Sequence, residues 1–257
     1  MSKIHPSAVV DKDAEIAENV QIGPYAIIEK GVKIGERTTI ASHAVVAEGA
    51  SIGKNCRIFS GAVIATVPQD LKFGNEKTFV EIGDNTTIRE YATVNRATTH
   101  SYYTRVGSNC LLMAYSHIAH DCQIGNNVVI ANAVNMGGHV IIADNVGIGG
   151  LTAIHQFVKI GEQCFVGGGL RVNKDIPPFV LAMGEPITFG GLNAIGLKRR
   201  GFSDTTLQVL KHAYKIIYRS GLTTGQALKK IEEQSDSIPE IETIVSFIRE
   251  SERGIIR

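Results

Sequence analysis

The chain lacks an excess of charge of either sign. Its 257 residues contain 26 Lys and Arg against 25 Asp and Glu, which gives a formal net charge of +1. Composition therefore does not mark it as a nucleic-acid-binding or membrane-surface protein. No uncharged apolar stretch approaches the roughly 20 residues that span a bilayer, and the start of the chain lacks the basic and apolar regions of a signal peptide. We expect a cytoplasmic protein with no membrane span and no nucleic-acid partner.

Cysteine is scarce, and its spacing forms no recognisable metal or redox motif. Cys56, Cys110, Cys122 and Cys164 include neither a CxxC pair nor the Cys–His spacing of a zinc site. Each falls four places after an aliphatic residue of a repeat, where other repeats carry a small residue, so we interpret them as core fillers. Neither a P-loop nor a Rossmann fingerprint occurs among the glycines.

What the chain does have is a six-residue aliphatic repeat between residues 4 and 172. Neither a helix nor a two-residue strand alternation maintains this period for so long, so each hexad is predicted to form one short strand and a turn of a parallel β-helix. The repeated positions are Ile4, Val10, Ile16, Ile22, Ile28, Ile34, Ile40, Val46, Ile52, Ile58, Ile64, Ile82, Ile88, Val94, Val106, Leu112, Ile118, Ile124, Ile130, Met136, Ile142, Ile148, Ile154, Ile160, Val166 and Val172.

Three hexads make a triangular coil, so residues 18 apart should stack at the spacing of roughly 4.8 Å that hydrogen-bonded strands adopt. The aliphatic residues and the small residues four places later are predicted to point inward. Glycine directly after the aliphatic residue and asparagine three places after it suit turns, because both tolerate positive φ. These turn residues are Gly23, Gly35, Gly53, Gly83, Gly107, Gly125 and Gly161, with Asn19, Asn55, Asn85, Asn109, Asn127 and Asn145.

The repeat is interrupted at Asp70, Glu76 and His100, which predicts two loops leaving the prism, near 66–77 and 95–105. Tyr102, Tyr103 and Arg105 are expected in the second loop. Loops on a rigid scaffold often carry function. Beyond the repeat we expect a small α-helical C-terminal domain, 186–257, after a β-helix domain, 1–185. Its helices are predicted after an N-cap at Ser203, over 224–234 and from 239 to about 252.

Four of the eight histidines fall within 39 positions, near the end of the prism. The 18-residue spacing places His139 above Asp121, and His120 in one column with Gly138 and Gln156. Histidine is suited to be a general base near neutral pH, and the N–H groups of a Gly-Gly pair suit an oxyanion. No Ser or Cys lies in a nucleophile motif, which favours acyl transfer by direct attack of the acceptor. The clustered histidines are His117, His120, His139 and His155.

Three other interpretations of this cluster stay open at this point. A solvated polar face explains histidines without any chemistry. Three imidazoles can also hold zinc, although the spacing of three between His117 and His120 and the lack of a carboxylate-rich pattern nearby argue against it. A catalytically silent β-helix that binds a nucleotide sugar or a carrier protein would keep the hexads without needing the base.

Several stretches together resemble the family of acyl-[acyl-carrier-protein]:UDP-N-acetylglucosamine O-acyltransferases, which opens lipid A synthesis. The resemblance implies an all-β left-handed parallel β-helix with C-terminal helices, a homotrimer with active sites between subunits, and no metal. It also implies acyl carrier protein as the partner, with its phosphopantetheine thioester as donor and no other cofactor. The stretches are Gln69-Asp70-Leu71-Lys72, His117-Ile118-Ala119-His120-Asp121-Cys122, Gly138-His139-Val140, His155-Gln156-Phe157 and Gly196-Leu197-Lys198-Arg199-Arg200-Gly201-Phe202.

The resemblance also implies residue roles. His120 would be the base that takes the proton from the glucosamine 3-hydroxyl, Asp121 its partner and the Gly138 N–H the oxyanion donor. Lys198, Arg200, Lys211, Lys215 and Arg219 are either a surface for acyl carrier protein or ordinary surface charge. The residues implied to bind substrate are Gln69, Asp70, Lys72, Asn95, His117, His139, His155, Gln156, Asn193 and Arg199.

Three positions bear on substrate choice. Gly168 stands where a larger side chain can block the acyl groove in this family, so glycine implies a longer acyl chain. Asn95 stands where the best-known members carry histidine, and Ile195 where they carry a glutamate near the nucleobase. These two departures keep open an alternative reaction, the N-acylation of a UDP-sugar that bears a 3-amino group.

Overall fold

The structure is a computed structural model that describes residues 2–234 and 238–257, and most of it is a prism of very short strands. The strands are β1 Lys3–Ile4, β2 Val9–Val10, β3 Glu15–Ile16, β4 Gln21–Ile22, β5 Ile27–Ile28, β6 Lys33–Ile34, β7 Thr39–Ile40, β8 Val45–Val46, β9 Ala50–Ile52, β10 Arg57–Ile58, β11 Val63–Thr66, β12 Phe79–Ile82, β13 Thr87–Ile88, β14 Thr93–Asn95, β15 Tyr103–Val106, β16 Leu111–Leu112, β17 His117–Ile118, β18 Gln123–Ile124, β19 Val129–Ile130, β20 Asn135–Met136, β21 Ile141–Ile142, β22 Gly147–Ile148, β23 Ala153–Ile154, β24 Lys159–Ile160, β25 Phe165–Val166, β26 Arg171–Val172, β27 Val180–Met183 and β28 Thr188–Leu192.

From β1 to β26 every third strand joins the same sheet, which gives the prism three walls. Sheet A runs β1-β4-β7-β10-β13-β16-β19-β22-β25-β27-β28, sheet B runs β2-β5-β8-β11-β14-β17-β20-β23-β26, and sheet C runs β3-β6-β9-β12-β15-β18-β21-β24. Away from the two loops the prism strands pair in parallel with partners 18 residues apart, as Gln21 pairs with Thr39, whereas pairs that span a loop are 30 or 24 residues apart, as Arg57 with Thr87 and Thr93 with His117. The predicted stacking is therefore confirmed. Each coil has three edges, where the chain passes from one sheet to the next, and we name them A–B, B–C and C–A after the sheets that they join.

The turns at these edges confirm one expectation and correct another. All six predicted asparagines have positive φ, between 54° and 61°. None of the seven glycines that follow the aliphatic residue does, so the predicted reason for glycine there is wrong. They are small because coils approach closely: a Cβ on Gly35 would lie 2.6 Å from the carbonyl carbon of Gly53.

The interior of the prism is aliphatic. Every repeat residue from Ile22 to Val172 is buried, as predicted, whereas Ile4 in the first coil is 46% exposed because no described coil lies beneath it. The four cysteines are buried and free, which confirms that they fill the core.

The second interruption of the repeat is shorter than expected. The loops run over 67–78 and 96–102, so the prediction that Tyr103 and Arg105 lie in a loop is wrong. Both belong to β15, where cross-strand pairs hold them. The ring of Tyr103 stacks on Phe79 at 5.1 Å, and Arg105 Nε lies 2.7 Å from a carboxylate oxygen of Glu81.

After the last coil, β27 and β28 form an antiparallel hairpin, and four helices follow: α1 Ala194–Arg199, α2 Asp204–Arg219, α3 Thr224–Gln234 and α4 Pro239–Arg249. The N-cap prediction is confirmed, since Ser203 Oγ accepts from the N–H of Thr206 at 3.0 Å. The division of the chain at residue 185 stays a prediction. Among the described residues, none of the helices has the length and apolar character that a membrane crossing requires.

Candidate active site

His120 and Asp121 lie at the B–C edge, directly after β17. Asp121 takes the positive φ that this corner position requires, φ 60°, and its side chain is buried. His120 Nδ1 lies 2.8 Å from Asp121 Oδ2. Because an ionised carboxylate can only accept, Nδ1 carries the hydrogen and Nε2 of the neutral ring keeps its lone pair. The arrangement therefore presents Nε2 of His120 as a proton acceptor.

Gly138 lies one coil above His120 and is in contact with its ring. A Cβ on this glycine would lie 2.4 Å from Cε1 and 2.6 Å from Nε2 of His120. No hydrogen bond links the Gly138 N–H to another described residue. Glycine thus leaves room for the imidazole and leaves one backbone donor available next to the base.

His139 lies above Asp121, as predicted, and its side chain is 15% exposed. Its ring stacks on Phe157 at 4.4 Å and meets His120 and His100 edge-on at 5.1 and 4.5 Å. Its Nδ1 is buried without a partner among the described residues, 4.0 Å from Asp121 Oδ2. Burial lowers the pKa of His139, reinforced by the nearby histidines and opposed by the Asp121 charge. The ring is therefore neutral near pH 7.

The loop 96–102 closes on Asp121 from the side. Thr98 and Ser101 donate to its carboxylate through both their backbone N–H groups and their hydroxyls. Burial alone would raise the pKa of Asp121, but hydrogen bonds from His120, Ser101 and Thr98 outweigh it and hold the pKa well below its usual range. Neither Thr98 nor Ser101 was predicted to belong to the site. Their contacts span 20 to 23 positions across an interruption that breaks the 18-residue spacing, so no signal in the sequence pointed to them.

Among residues 2–234 and 238–257, one group of side chains has the spacing of a metal site. Ligand atoms of His120, Asp121 and His139 lie within 4.8 Å of one another. The Asp121 oxygens, however, already accept from five donor groups. That engagement favours a hydrogen-bonded pair over a metal ligand, and the expected absence of a metal stays a prediction.

The first loop, 67–78, leaves the prism at the same B–C edge. Asp70 Oδ1 accepts from the N–H of Lys72 at 3.0 Å, and the charge of Asp70 acts on His139. Gln69 and Lys72 are exposed, and between them Leu71 is fully exposed. The loop thus brings a carboxylate near the histidines and presents an apolar tip to solvent.

Three more predicted residues lie on the outer face of sheet B or beside it. His117 Nδ1 is 2.7 Å from Thr93 Oγ1, and burial lowers the pKa of His117, with a smaller contribution from His120. His155 Nδ1 lies 3.0 Å from the carbonyl oxygen of Gln156, and both residues are exposed. His117 lies in β17, and His155 and Gln156 follow β23, so all three residues lie close to the B–C edge.

Asn95 lies at the end of β14 and is 3% exposed. Its Nδ2 donates to Thr66 Oγ1 at 3.0 Å, whereas its Oδ1 is buried with no partner among the described residues. A buried acceptor without a donor is costly, so Asn95 is a polar residue whose hydrogen bonding is incomplete among the described residues.

The remaining predicted residues lie at other edges of the prism. Gly168 follows β25 at the A–B edge. Asn193 caps α1 and donates to the carbonyl oxygen of Gln163, at the C–A edge, and Arg199 on α1 is exposed. A single chain therefore does not bring Gly168, Asn193 and Arg199 together with His120.

Fold and sequence together define the class of protein, since the chain is an acyltransferase built on a left-handed parallel β-helix of hexapeptide repeats. The family model for the bacterial transferase hexapeptide (six repeats) matches residues 13–48, 31–66 and 103–138. A second model, Udp N-acetylglucosamine O-acyltransferase, Domain 2, matches residues 175–256.

Full-length relatives narrow the class to a family. An acyl-[acyl-carrier-protein]–UDP-N-acetylglucosamine O-acyltransferase of Paracidovorax citrulli is 50% identical over 262 residues, 100% of both chains. A crystal structure of a UDP-N-acetylglucosamine acyltransferase from Bacteroides fragilis 9343 is 47% identical, with a TM-score of 0.97, and the match covers 99% of this chain and 100% of that one. The chain belongs to the acyl-[acyl-carrier-protein]–UDP-N-acetylglucosamine O-acyltransferase family, as its motifs predicted.

Proposed function

We propose that this protein transfers an (R)-3-hydroxyacyl group from acyl carrier protein to the 3-hydroxyl of UDP-N-acetylglucosamine, the first step of lipid A biosynthesis. The names of its full-length relatives support the substrates. The observation that carries the proposal is the pair of His120 and Asp121, together with Gly138, which packs against the same imidazole and whose N–H bonds to no other described residue.

In the proposed mechanism, Nε2 of His120 takes the proton from the sugar 3-hydroxyl while that oxygen attacks the thioester carbonyl carbon. The Gly138 N–H donates to the oxyanion of the tetrahedral intermediate. When the intermediate collapses, the C–S bond breaks and the phosphopantetheine sulfur receives the proton from His120. The products are the sugar ester and free thiol, and no acyl-enzyme forms because the acceptor itself is the nucleophile. In this proposal His120 and Gly138 supply the acid–base chemistry and the oxyanion donor, and no metal takes part.

We further propose a homotrimer with each site formed between neighbouring subunits. The base lies at the B–C edge, the acyl-length position Gly168 at the A–B edge, and Asn193 and Arg199 near the C–A edge. A neighbouring copy packed against this chain would bring edges of two chains to one substrate, which supports the proposal. The fully exposed Leu71 at the tip of loop 67–78 fits a contact with that copy.

The substrate roles follow from the chemistry of each group. The guanidinium of Arg199 offers the paired donors that suit a nucleotide phosphate, and Asn193 at the other end of the same short helix would contact the rest of the nucleotide. The polar residues near the B–C edge would hold the sugar and the thioester. They are Gln69, Asp70, Lys72, Asn95, His117, His139, His155 and Gln156. A carrier protein and a nucleotide sugar as substrates fit a cytoplasmic location.

One observation favours a second reaction, N-acylation of a UDP-sugar with a 3-amino group. The Asn95 Oδ1 is a buried acceptor without a partner among the described residues, at a position where the resemblance leads one to expect histidine. An amide oxygen of this kind suits an N–H donor on the acceptor sugar. The same base and the same oxyanion donor would serve that reaction.

Mass spectrometry of the products tests both reactions. The purified protein is offered a mixture of hydroxyacyl carrier proteins with either UDP-N-acetylglucosamine or its 3-amino analogue, beside His120→Ala. The control is His5→Ala, an exposed histidine of the first coil. We expect an ester product that is lost in His120→Ala and kept in His5→Ala. Amide product alone would move the assignment to N-acylation, and no product with either sugar would favour a binding scaffold.

A further inference from the structure

The side chain of Asp121 is enclosed by donors, and most of them come from loop 96–102. Oδ1 accepts from the Ser101 hydroxyl at 2.6 Å and from the N–H groups of Ser101 and Thr98 at 3.1 and 3.2 Å. Oδ2 accepts from the Thr98 hydroxyl at 2.8 Å and again from the Thr98 N–H at 3.2 Å. The same Oδ2 accepts from His120 Nδ1 at 2.8 Å. The bonds from the two hydroxyls and from His120, at 2.6 and 2.8 Å, have the short distances that are typical of hydrogen bonds to an ionised carboxylate.

The hydroxyls of Thr98 and Ser101 donate their hydrogens to the Asp121 carboxylate in preference to backbone carbonyl groups. The Ser101 hydroxyl has a second acceptor in the Tyr103 carbonyl, but at 3.0 Å it is farther away than Asp121. The Thr98 hydroxyl accepts from the N–H of His100 at 3.2 Å, which leaves its own hydrogen for Asp121. Both side chains therefore point their hydrogens at one carboxylate.

A carboxylate can hold an imidazole in one orientation only if it is itself fixed. Asp121 occupies a tight corner, where its N–H donates to Thr104 Oγ1 at 2.8 Å, so its backbone is anchored as well. Without the two hydroxyls, the carboxylate could rotate about its side-chain torsion and meet His120 at another angle. The direction of Nε2 then depends on loop 96–102, although the loop does not carry the base.

We propose that Thr98 and Ser101 are positioning residues for the acyl transfer. Their hydroxyls keep Asp121 ionised and oriented, and Asp121 keeps His120 protonated on Nδ1, with Nε2 facing the acceptor hydroxyl. They act through Asp121 and contact neither the base nor the reacting atoms. This inference rests on the proposed function of His120 and extends it to a loop for which the sequence predicts no role in positioning the base.

The first test separates positioning from binding. Ser101→Ala and Thr98→Val should each lower kcat about tenfold, because a charge-assisted hydrogen bond is lost and each 1.36 kcal/mol of barrier is a factor of ten. KM for both substrates should stay within about twofold, because neither residue contacts substrate. Ser101→Thr and Thr98→Ser, which keep a hydroxyl, should restore most of kcat. The matched control is Thr99→Ala, in the same loop, because Thr99 is exposed and its hydroxyl bonds to no other described residue.

The second test asks whether the effect passes through Asp121. In an Asp121→Ala background, Ser101→Ala and Thr98→Val should lower kcat no further, since there is no carboxylate left to hold. Alanine is compatible with this corner, since Ala133 occupies an equivalent position with φ 56°. Equal losses in both backgrounds would mean that the loop supports the fold and not the base, which would overturn the inference. So would unchanged kcat in the single variants.

A spectroscopic measurement keeps this inference distinct from the proposed function. Nitrogen-15 NMR of histidine-labelled protein reports the tautomer of His120 without turnover. We expect the Nδ1-protonated form in the wild type and in Thr99→Ala, and a mixture of tautomers in the Thr98→Val, Ser101→Ala double variant. The same single tautomer in the double variant would refute positioning. If the double variant shows the expected mixture but the wild type forms no product, the proposed acyl transfer alone is refuted.

Discussion

His120 and Gly138 are in van der Waals contact across one coil, and the contact exists only because residue 138 has no side chain. A Cβ there would lie 2.4 Å from Cε1 and 2.9 Å from Nδ1 of the imidazole. The 18-residue stacking of the prism thus fixes the position of the base from above, while Asp121 fixes it from the side. A one-carbon change in the upper coil should therefore act on the chemistry in the lower one.

Gly138→Ala tests that dependence. The added methyl group must displace the imidazole, and a misplacement of about 1 Å can cost about 100-fold in rate, so we expect an acyl-transfer kcat at least that much lower. Steady-state kinetics and thermal unfolding together measure the effect. The control is Gly225→Ala on α3, where a Cβ meets no atom within 4 Å. Wild-type kcat in Gly138→Ala would show that the ring position does not limit the reaction.

The acid stability of the protein should depend on Asp121. In the folded protein, hydrogen bonds hold the pKa of Asp121 low despite its burial. In the unfolded chain the pKa of an aspartate is about 3.9. The folded protein therefore binds fewer protons, and the contribution of Asp121 to stability is complete above about pH 5 and is lost as the pH falls through about 4 and below. Urea unfolding at several pH values should show a weaker loss on acidification in Asp121→Asn than in the wild type.

An aspartate outside the site provides the comparison for that measurement. Asp13 is exposed in the first coils, and Asp13→Asn should leave the pH dependence of the unfolding free energy as it is in the wild type. If Asp121→Asn and the wild type lose stability in parallel between about pH 5 and 3, the carboxylate is not held by the donors as described.

The fold could be predicted from the sequence because one period governs it. Each aliphatic residue from Ile22 to Val172 obeys the same inward geometry, so the same phase correctly predicts His139 over Asp121 and Gly138 over His120. The repeat predicts which residues stack above one another on adjacent coils. It therefore predicts the part of the site that consists of residues one coil apart.

The contacts made by the interruptions could not be predicted in this way. The ends of a loop depend on which residues pair across neighbouring strands. The contacts of Tyr103 with Phe79 and of Arg105 with Glu81 extend strand β15 into the segment that was expected to be a loop. The bonds from Ser101 to Asp121 depend on how the loop folds back, which a count of residues does not determine. The edge on which Gly168 lies follows from the period.

The core cysteines should be unreactive in the folded protein. Burial raises the pKa of Cys122 and Cys164 to about 12, and it also raises the pKa of Cys56 and Cys110. Since the thiolate is the nucleophile, a thiol reagent at about pH 8 should label none of the four in native protein and all four in denaturant. A stoichiometric fast phase in native protein would show that one of them lies outside the core.

The length of the transferred acyl chain should respond to Gly168. Gly168 is exposed, and a Cβ there would lie 3.0 Å from the Gly150 carbonyl oxygen, so a side chain fits after a shift of a few tenths of an ångström. Gly168→Met should move the preferred donor to a shorter hydroxyacyl chain, and Gly168→Ala should have a smaller effect in the same direction. Product masses from a mixture of hydroxyacyl carrier proteins measure the preference. An unchanged distribution in Gly168→Met, with turnover retained, would place the end of the acyl groove at another residue.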